Sequence, residues 1–583
     1  MHPSDKESRV TTDMSEVDLL VCGAGAGGMT AALVGALEGL QVLLVEKTGQ
    51  VGGTTSTSGG TTWVPGNSLG AAVGCPDEAK DADAFLRHVV GNRGGDDLRQ
   101  AFLASGAAAI DDLAARSEVR FAASAAHPDY LDGPGSAFGG RALGPLEFDG
   151  RRLGRDFDRV RPPRPEFMGL GGMMAARTEI DALLNPFRSV ANFRKGSGIV
   201  LRYLADRLRY RRGTRLLMGN ALAARLFYSL RRNDVPILFD TAARELLVEN
   251  GRVVGLHLET PEGDRIVRAR RGVVLATGGI GWNGAIRQRL FPEATRALSL
   301  APATNTGDGA DLATRAGAGF QDGGDSPALW MPCSSYRRAD GHLAVWPHIL
   351  LDRAKPGLLA VNASGRRFVN ESDSYHDFSM GQIRAEAEGP SMPSWLICDE
   401  AFIRRYGLGL VLPGGRGLAR LQKAGYVLSA PDLSALSALI GVDAVALRQT
   451  IADYNAAAET GEDRAFGRGS SAMSRFNGDA TAAGPNPCMG PIGAGPFHAV
   501  AVRPADLASS AGLSVGIHGQ VLREDGTAIE GLYAAGNDAA SIFKGTYPGP
   551  GTTLGPALVF GWRTARHAAG LPTPDRLPDI ATG

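Results

Sequence analysis

Val17-Asp18-Leu19-Leu20-Val21-Cys22-Gly23-Ala24-Gly25-Ala26-Gly27-Gly28 is the stretch whose reading decides the architecture. Its first six residues form an apolar run with strand character. Gly23, Gly25 and Gly28 then follow with GxGxxG spacing and lead into the helix-like Met29-Thr30-Ala31-Ala32-Leu33-Val34. A second apolar strand over 41–45 ends in Glu46. Glycines at this spacing permit a tight turn and let a pyrophosphate approach a helix N-terminus. An acid at the end of the next strand accepts from ribose hydroxyls. Strand, helix, strand and acid in this order predict a dinucleotide site in an α/β, Rossmann-like domain.

The gross composition sets limits around that motif. Sixty-one Lys/Arg balance 61 Asp/Glu in 583 residues, so no global field favours nucleic acid. A chain of this length predicts more than one domain. The 79 glycines show no collagen period and suggest tight turns and close backbone approaches to a ligand. Five scattered cysteines without a CxxC pair read as thiols of a reducing cytoplasm, and no metal site is expected. Residues 1–16 read as a polar tail without the apolar core of a signal peptide, and no apolar run is long enough to span a membrane. The expected location is cytoplasmic.

After Glu46 and Lys47 the chain enters the glycine/hydroxyl loop Val51-Gly52-Gly53-Thr54-Thr55-Ser56-Thr57-Ser58-Gly59-Gly60-Thr61-Thr62-Trp63. Such a loop can wrap a pyrophosphate and offer backbone N–H groups to a flavin ring. With Trp63-Val64-Pro65-Gly66 it resembles the flavoproteins related to fumarate reductase and succinate dehydrogenase. Respiratory members attach the flavin through a histidine in this loop. Only Thr and Ser stand here, so the resemblance implies non-covalent FAD. It also implies a discontinuous FAD domain whose further pieces are the strand 271–279, the turn 305–309 and the strand 531–537. The hairpin over 243–255, read from Asn250-Gly251, would meet the adenine near Arg244. The resemblance thus assigns to the cofactor Gly23, Gly25, Ala26, Gly27, Gly28, Glu46, Lys47, Gly53, Thr54, Thr55, Ser58, Gly59, Gly60, Thr61, Arg244, Thr277, Gly278, Gly279, Asn305, Asp308, Gly536, Asn537, Thr553 and Leu554.

Between 323 and 502 the pattern changes, predicting an inserted α+β catalytic domain. Residues 356–371 read as a strand, an Asn-x-x-Gly turn and a return strand, with Tyr375 just beyond. Near the C-terminus stands Tyr547-Pro548-Gly549-Pro550-Gly551. A third element comprises Pro128-Asp129-Tyr130, Pro134-Gly135 and Gly139-Gly140-Arg141. Together the three resemble the 3-ketosteroid dehydrogenases, especially the Δ1-dehydrogenases. The resemblance implies that the Tyr547 hydroxyl and the Gly551 N–H bind a 3-keto oxygen and that Tyr375 removes a proton from carbon 2. Tyr130 would hydrogen-bond Tyr375 and ease its ionisation, and FAD would take a hydride from carbon 1. Partners implied are a 3-ketosteroid and an external electron acceptor, quinone-like or an artificial dye. Phenols, one amide and apolar walls would suffice for such a substrate.

Departures are Ala508-Ser509-Ser510-Ala511-Gly512-Leu513, where Gly-Thr-x-Gly-Gly-Leu is common, and Phe497-His498, where an aromatic pair with tyrosine is usual. One alternative is a Δ4-(5α)-dehydrogenase. Another is a fumarate-reductase-like site, for which Arg353 and His376 are available. A third is a flavin-binding protein without turnover. Residues 503–570 are expected to return to the FAD domain, and 571–583 to form a tail. The remaining segment, 151–232, carries nineteen Lys/Arg against six acids. It reads either as a solvated helical hairpin packed on the FAD domain or as a basic amphipathic patch touching the inner face of a membrane.

Overall fold

The computed structural model describes residues 15–349 and 352–577; the N-terminal tail up to residue 14 and residues 578–583 lie outside them. The GxGxxG motif sits where its chemistry demands. Strand Glu16–Cys22 runs into helix Ala26–Leu37 and then strand Val42–Val45. The first strand is central, bonded in parallel to Val42–Val45 on one side and to Gly263–Leu275 on the other. The latter pairs in parallel with Ala528–Ala534, bringing the C-terminal part of the chain into the same eight-stranded sheet. Strands buried on both faces explain why Leu19-Leu20-Val21 and Val42–Val45 read as continuous rather than alternating apolar runs. The hairpin Ala242–Glu249/Arg252–Thr260 turns at Asn250 and Gly251, both at positive φ.

A second, six-stranded antiparallel sheet begins at Ala328 and includes Ala328–Arg337, Leu358–Val361, Ser394–Asp399 and Phe497–Ser509. Leu358 and Ala360 face one apolar cluster and Leu359 and Val361 another, so helices cover both faces. The thirteen-residue strand Phe497–Ser509 is the spine of this sheet, pairing with Ser394–Asp399 through its first half and Ala328–Arg337 through its second. The boundary expected at 502/503 falls inside this strand, whose pairing with Ala328–Arg337 runs on to Ser509 through one bulge opposite Leu329 and Trp330. The return strand expected after Asn362 is irregular instead. Arg367 there is drawn into ion pairs with Glu371 and Asp463, both at less than 3 Å, which replace a ladder.

Two other expectations change. In the basic segment helix Val190–Arg207 is peripheral, burying Gly196, Tyr203 and Asp206. Helix Met218–Arg232 buries Leu222, Ala223, Leu226, Phe227 and Leu230 in the main core. At the C-terminal end, residues up to 577 are tied down, since Arg563 donates to Asp575 at 2.7 Å and to the Pro574 carbonyl.

Candidate active site

One cavity of about 780 Å³ runs between the two sheets. Of the residues expected at the cofactor, all but Gly28, Gly279 and Arg244 line it, as do Tyr130, Tyr375, Tyr547 and Gly551. Gly28 packs against the turn instead: a Cβ there would lie 1.9 Å from the Gly23 carbonyl oxygen. The Gly279 N–H donates to Asp538 at 2.9 Å. Arg244 turns away to Glu259 on the neighbouring strand, leaving Thr241 and Ala243 at the cavity wall.

The cofactor end is built for a polyanion beside a ribose. Helix Ala26–Leu37 starts at Gly25 with no acid in its first turn, so its N-terminal amides and dipole are not neutralised locally. Glu46 is fixed by the amides of Ala24 and Thr48, each at 2.9 Å, which orients its remaining lone pairs into the cavity. Lys47 is taken by Asp308 at 2.7 Å. Arg161 also lines the cavity, with its Nε buried and unpartnered and no carboxylate within ion-pair distance among the described residues. An uncompensated guanidinium beside a glycine cradle fits phosphate oxygens.

The opposite end gathers three phenols from distant parts of the chain. Tyr375 opens helix Tyr375–Glu388, held there by the Ser374 N-cap, whose side chain accepts from the Asp377 amide. Tyr130 is anchored through its own amide to the Pro548 carbonyl at 2.8 Å. Its neighbour Asp129 accepts from Trp63 at 2.8 Å and Arg141 at 2.7 Å, tying this loop to the end of the cofactor loop. Tyr130 and Tyr547 stack at 16° between planes, and Tyr375 stands edge-on to both.

Tyr375 Oη donates to Tyr547 Oη at 2.8 Å, and the Tyr130 and Tyr375 side chains also interact through a hydrogen bond, so Tyr375 stands between the other two phenols. With the other two rings stacked, the crossing Tyr375 places its single donor on Tyr547. Burial raises the pKa of all three phenols above the ordinary tyrosine range. For Tyr547 the bond from Tyr375 and the nearby Gly551 N–H pull the other way. For Tyr375, donating that bond adds to the increase. Burial thus holds Tyr375 protonated at rest, and at Tyr547 the bonds from Tyr375 and Gly551 offset part of the same effect.

Gly551 has φ +96°, and a Cβ on it would lie 2.2 Å from the Thr61 carbonyl oxygen. The Tyr-Pro-Gly-Pro-Gly turn is thus pressed directly onto the cofactor loop, whose Trp63 amide donates to the Gly551 carbonyl at 3.1 Å.

A family model described as an FAD binding domain matches residues 18–554. The chain belongs to this FAD-binding flavoprotein family. The flavoprotein is 36% identical to 4-oxocyclohex-2-ene-1-carboxylate 5-dehydrogenase of Sinomonas cyclohexanicum, over 95% of this chain and 94% of that one. It is 34% identical to 3-oxosteroid 1-dehydrogenase of Mycolicibacterium smegmatis, over 95% and 97%. Among solved structures it is similar to 3-ketosteroid Δ1-dehydrogenase from Sterolibacterium denitrificans in complex with 1,4-androstadiene-3,17-dione. That match has a TM-score of 0.87 and 32% identity, covering 95% of this chain and all of the other. The protein is an FAD-dependent oxidoreductase, and the FAD fits the residues described above.

Several residues of this flavoprotein's site were not read from sequence. Arg161 and Arg164 flank Pro162-Pro163. Prolines favour a three-residue-per-turn extended helix, and Arg164 has the matching φ −58°, ψ 139°. That period puts both arginines on the cavity side; the Arg-Pro-Pro-Arg spacing was the available signal. Asp538 had none: it is 2% exposed and accepts from the amides of Thr277 and Gly279. It thereby links the ends of two parallel strands beside Gly536 and Asn537. The fumarate-type residues do not reach the cavity. Arg353 spends its donors on the carbonyls of His348, Ile349 and Glu371, and His376 accepts from the Trp330 amide at 3.1 Å. The departure at His498 is equally remote, buried between Ser429 and Glu400. Ala508, by contrast, lines the cavity.

Proposed function

We propose that this flavoprotein dehydrogenates a cyclic 3-ketone, a 3-ketosteroid, across carbons 1 and 2. The observation that carries the reading is the buried Tyr375–Tyr547 hydroxyl pair, 2.8 Å apart, beside the Gly551 N–H in the cavity that also holds the cofactor cradle. A ketone oxygen takes the hydrogen bonds of the Tyr547 hydroxyl and the Gly551 N–H, which stabilise negative charge as it develops there. Tyr547 accepts from Tyr375, so its own proton is free for the ketone, and it is Tyr375 that gives up this bond and its proton before acting as base. Tyr375, with Tyr130 edge-on, then removes the proton from carbon 2. When bound, FAD supplies the hydride acceptor for carbon 1, and a quinone-like electron acceptor regenerates it. Leu329, Met331, Val345 and Ala505 pack around the phenols and exclude water from the enolate.

Anaerobic addition of a 4-en-3-one steroid should bleach the oxidised flavin band and yield the 1,4-diene. A preparation fully loaded with FAD that no 3-ketosteroid bleaches would refute the reading, whereas bleaching only by 5α-saturated ketones would move the double bond to carbons 4 and 5. A second reading, a monocyclic oxo-acid, is favoured by the 36% identical relative's substrate and by the arginines lining the cavity, which differ from the purely apolar walls expected.

For location, among the described residues no helix is long and apolar enough to cross a membrane. We propose instead that helix Val190–Arg207 rests on an anionic bilayer. Val190, Phe193, Leu201, Leu204 and Leu208 fall on one face at helical spacing and are exposed, as is Phe187, which stacks on Phe193. Arg188, Arg194, Lys195, Arg207 and Arg209 flank the stripe, so charge and apolar surface together match a headgroup boundary. The holoprotein should co-sediment with phosphatidylglycerol-containing vesicles at low salt, and L201E/L204E should abolish it. Equal sedimentation of the double variant would disprove this contact.

A further inference from the structure

Many arginines of the basic segment that face away from the cavity are matched by carboxylates, as are Arg151 by Asp206, Arg152 by Glu118, Arg215 by Glu179 and Arg231 by Asp156. Others outside the cavity either face solvent, as Arg194, Arg207 and Arg209 do, or spend their donors on neutral oxygens, as Arg212 and Arg225 do. Arg161, Arg164 and Arg177, which line the cavity, have no carboxylate partner within 4.0 Å among the described residues. Arg161 belongs with the cofactor loop, but the other two lie at the phenol end. Arg164 donates to the Leu300 carbonyl at 2.6 Å, and Leu300 packs in one cluster with Tyr130, Tyr375 and Tyr547. The nearby acid Glu166 is occupied by Arg338. Arg177 is exposed at the rim beside His127, which stands three residues before Tyr130 on the same loop. The acid next to it in sequence, Glu179, is taken by Arg215 at 2.8 Å. His127 stays neutral at pH 7, since burial and then Arg177 hold its pKa down to about 4.

A neutral ketone has no use for two unmatched guanidinium groups beside its site. A carboxylate does: guanidinium–carboxylate hydrogen bonds are charge-assisted, and they strengthen in a partly dry cavity. We propose that the substrate is an anionic cyclic ketone, its carboxylate held by Arg164 and Arg177 while its carbonyl reaches Tyr547 and Gly551. This rests on the ketone-dehydrogenase reading above and narrows its substrate class. Two sources share the chemistry, a one-ring oxo-acid and a steroid with an acidic side chain.

The test uses the FAD-loaded full chain and two acid/ester pairs: 4-oxocyclohexanecarboxylate and its methyl ester, and 3-oxo-4-androstene-17β-carboxylate and its methyl ester. Anaerobic flavin bleaching gives an apparent Kd for each. One pair should show the acid bound about tenfold or more tightly than its ester, the scale of a charge-assisted hydrogen bond, and which pair does so identifies the source. The preference should collapse in Arg164→Met and in Arg177→Met and return in part in Arg164→Lys. Arg177 is exposed, so its variant folds even if the Arg164 variant does not. Esters that bleach the flavin as well as acids in both pairs overturn the subsite alone, as does a preference that survives both substitutions. If no acid or ester bleaches it, the ketone-dehydrogenase reading fails and takes the subsite with it.

Discussion

Tyr375→Phe is expected to slow anaerobic flavin reduction by about 10²- to 10⁴-fold, the usual worth of a positioned base, with FAD still bound. The ring remains, so its edge-on packing against Tyr130 and Tyr547 at 5.4 and 5.2 Å between centroids survives. What disappears is the hydroxyl that accepts the proton. The sign of the pH dependence follows from burial, which raises the Tyr375 pKa well above the ordinary phenol value. Below that pKa the phenolate fraction grows about tenfold per pH unit. The rate in the native protein should therefore climb from pH 6 to pH 9, and the climb should vanish in Tyr375→Phe. A flat native profile, or a variant that keeps the slope, removes Tyr375 from the role of base.

Gly551→Ala is expected to cost about 10²- to 10³-fold in the same step, the scale of losing one oxyanion donor. The added Cβ cannot coexist with the Thr61 carbonyl 2.2 Å away, and φ +96° strains any side chain. The turn must shift, taking the N–H off the ketone and pushing the cofactor loop. Tyr547→Phe removes the other donor without disturbing that backbone. It should show a comparable rate loss but an unchanged flavin spectrum and melting temperature, whereas Gly551→Ala alters both. Identical spectra and melting for native and Gly551→Ala would mean that the turn does not press on the cofactor loop.

Much of this was legible because backbone chemistry leaves a strict pattern. Gly23, Gly25, Gly28 and Glu46 announce a strand–turn–helix and its acid, since few other residues satisfy those contacts. Tyr130, Tyr375 and Tyr547 were found through motifs flanking them, and all three meet in one cluster. The hydroxyl bond from Tyr375 to Tyr547 was not legible. It depends on the ring orientations that packing imposes, and those involve residues hundreds of positions apart. Arg164 and Arg177 were hidden for another reason. In a segment with nineteen basic residues, composition alone does not distinguish an arginine matched by an acid from one left facing a cavity. Residue 502 is also where Phe497–Ser509 exchanges Ser394–Asp399 for Ala328–Arg337 as its partner, a change that leaves no mark in its mostly buried pattern.

That long strand also fixes how firmly one wall of the cavity is held. Phe497–Ser509 is bonded along both halves to neighbours within its own six-stranded sheet. Leu507 and Ala508, which line the cavity, are carried near its end. Moving either one means moving a ladder, which breaks several backbone hydrogen bonds at once. The wall that a substrate meets there is a template with a set shape, and the substrate has to conform to it.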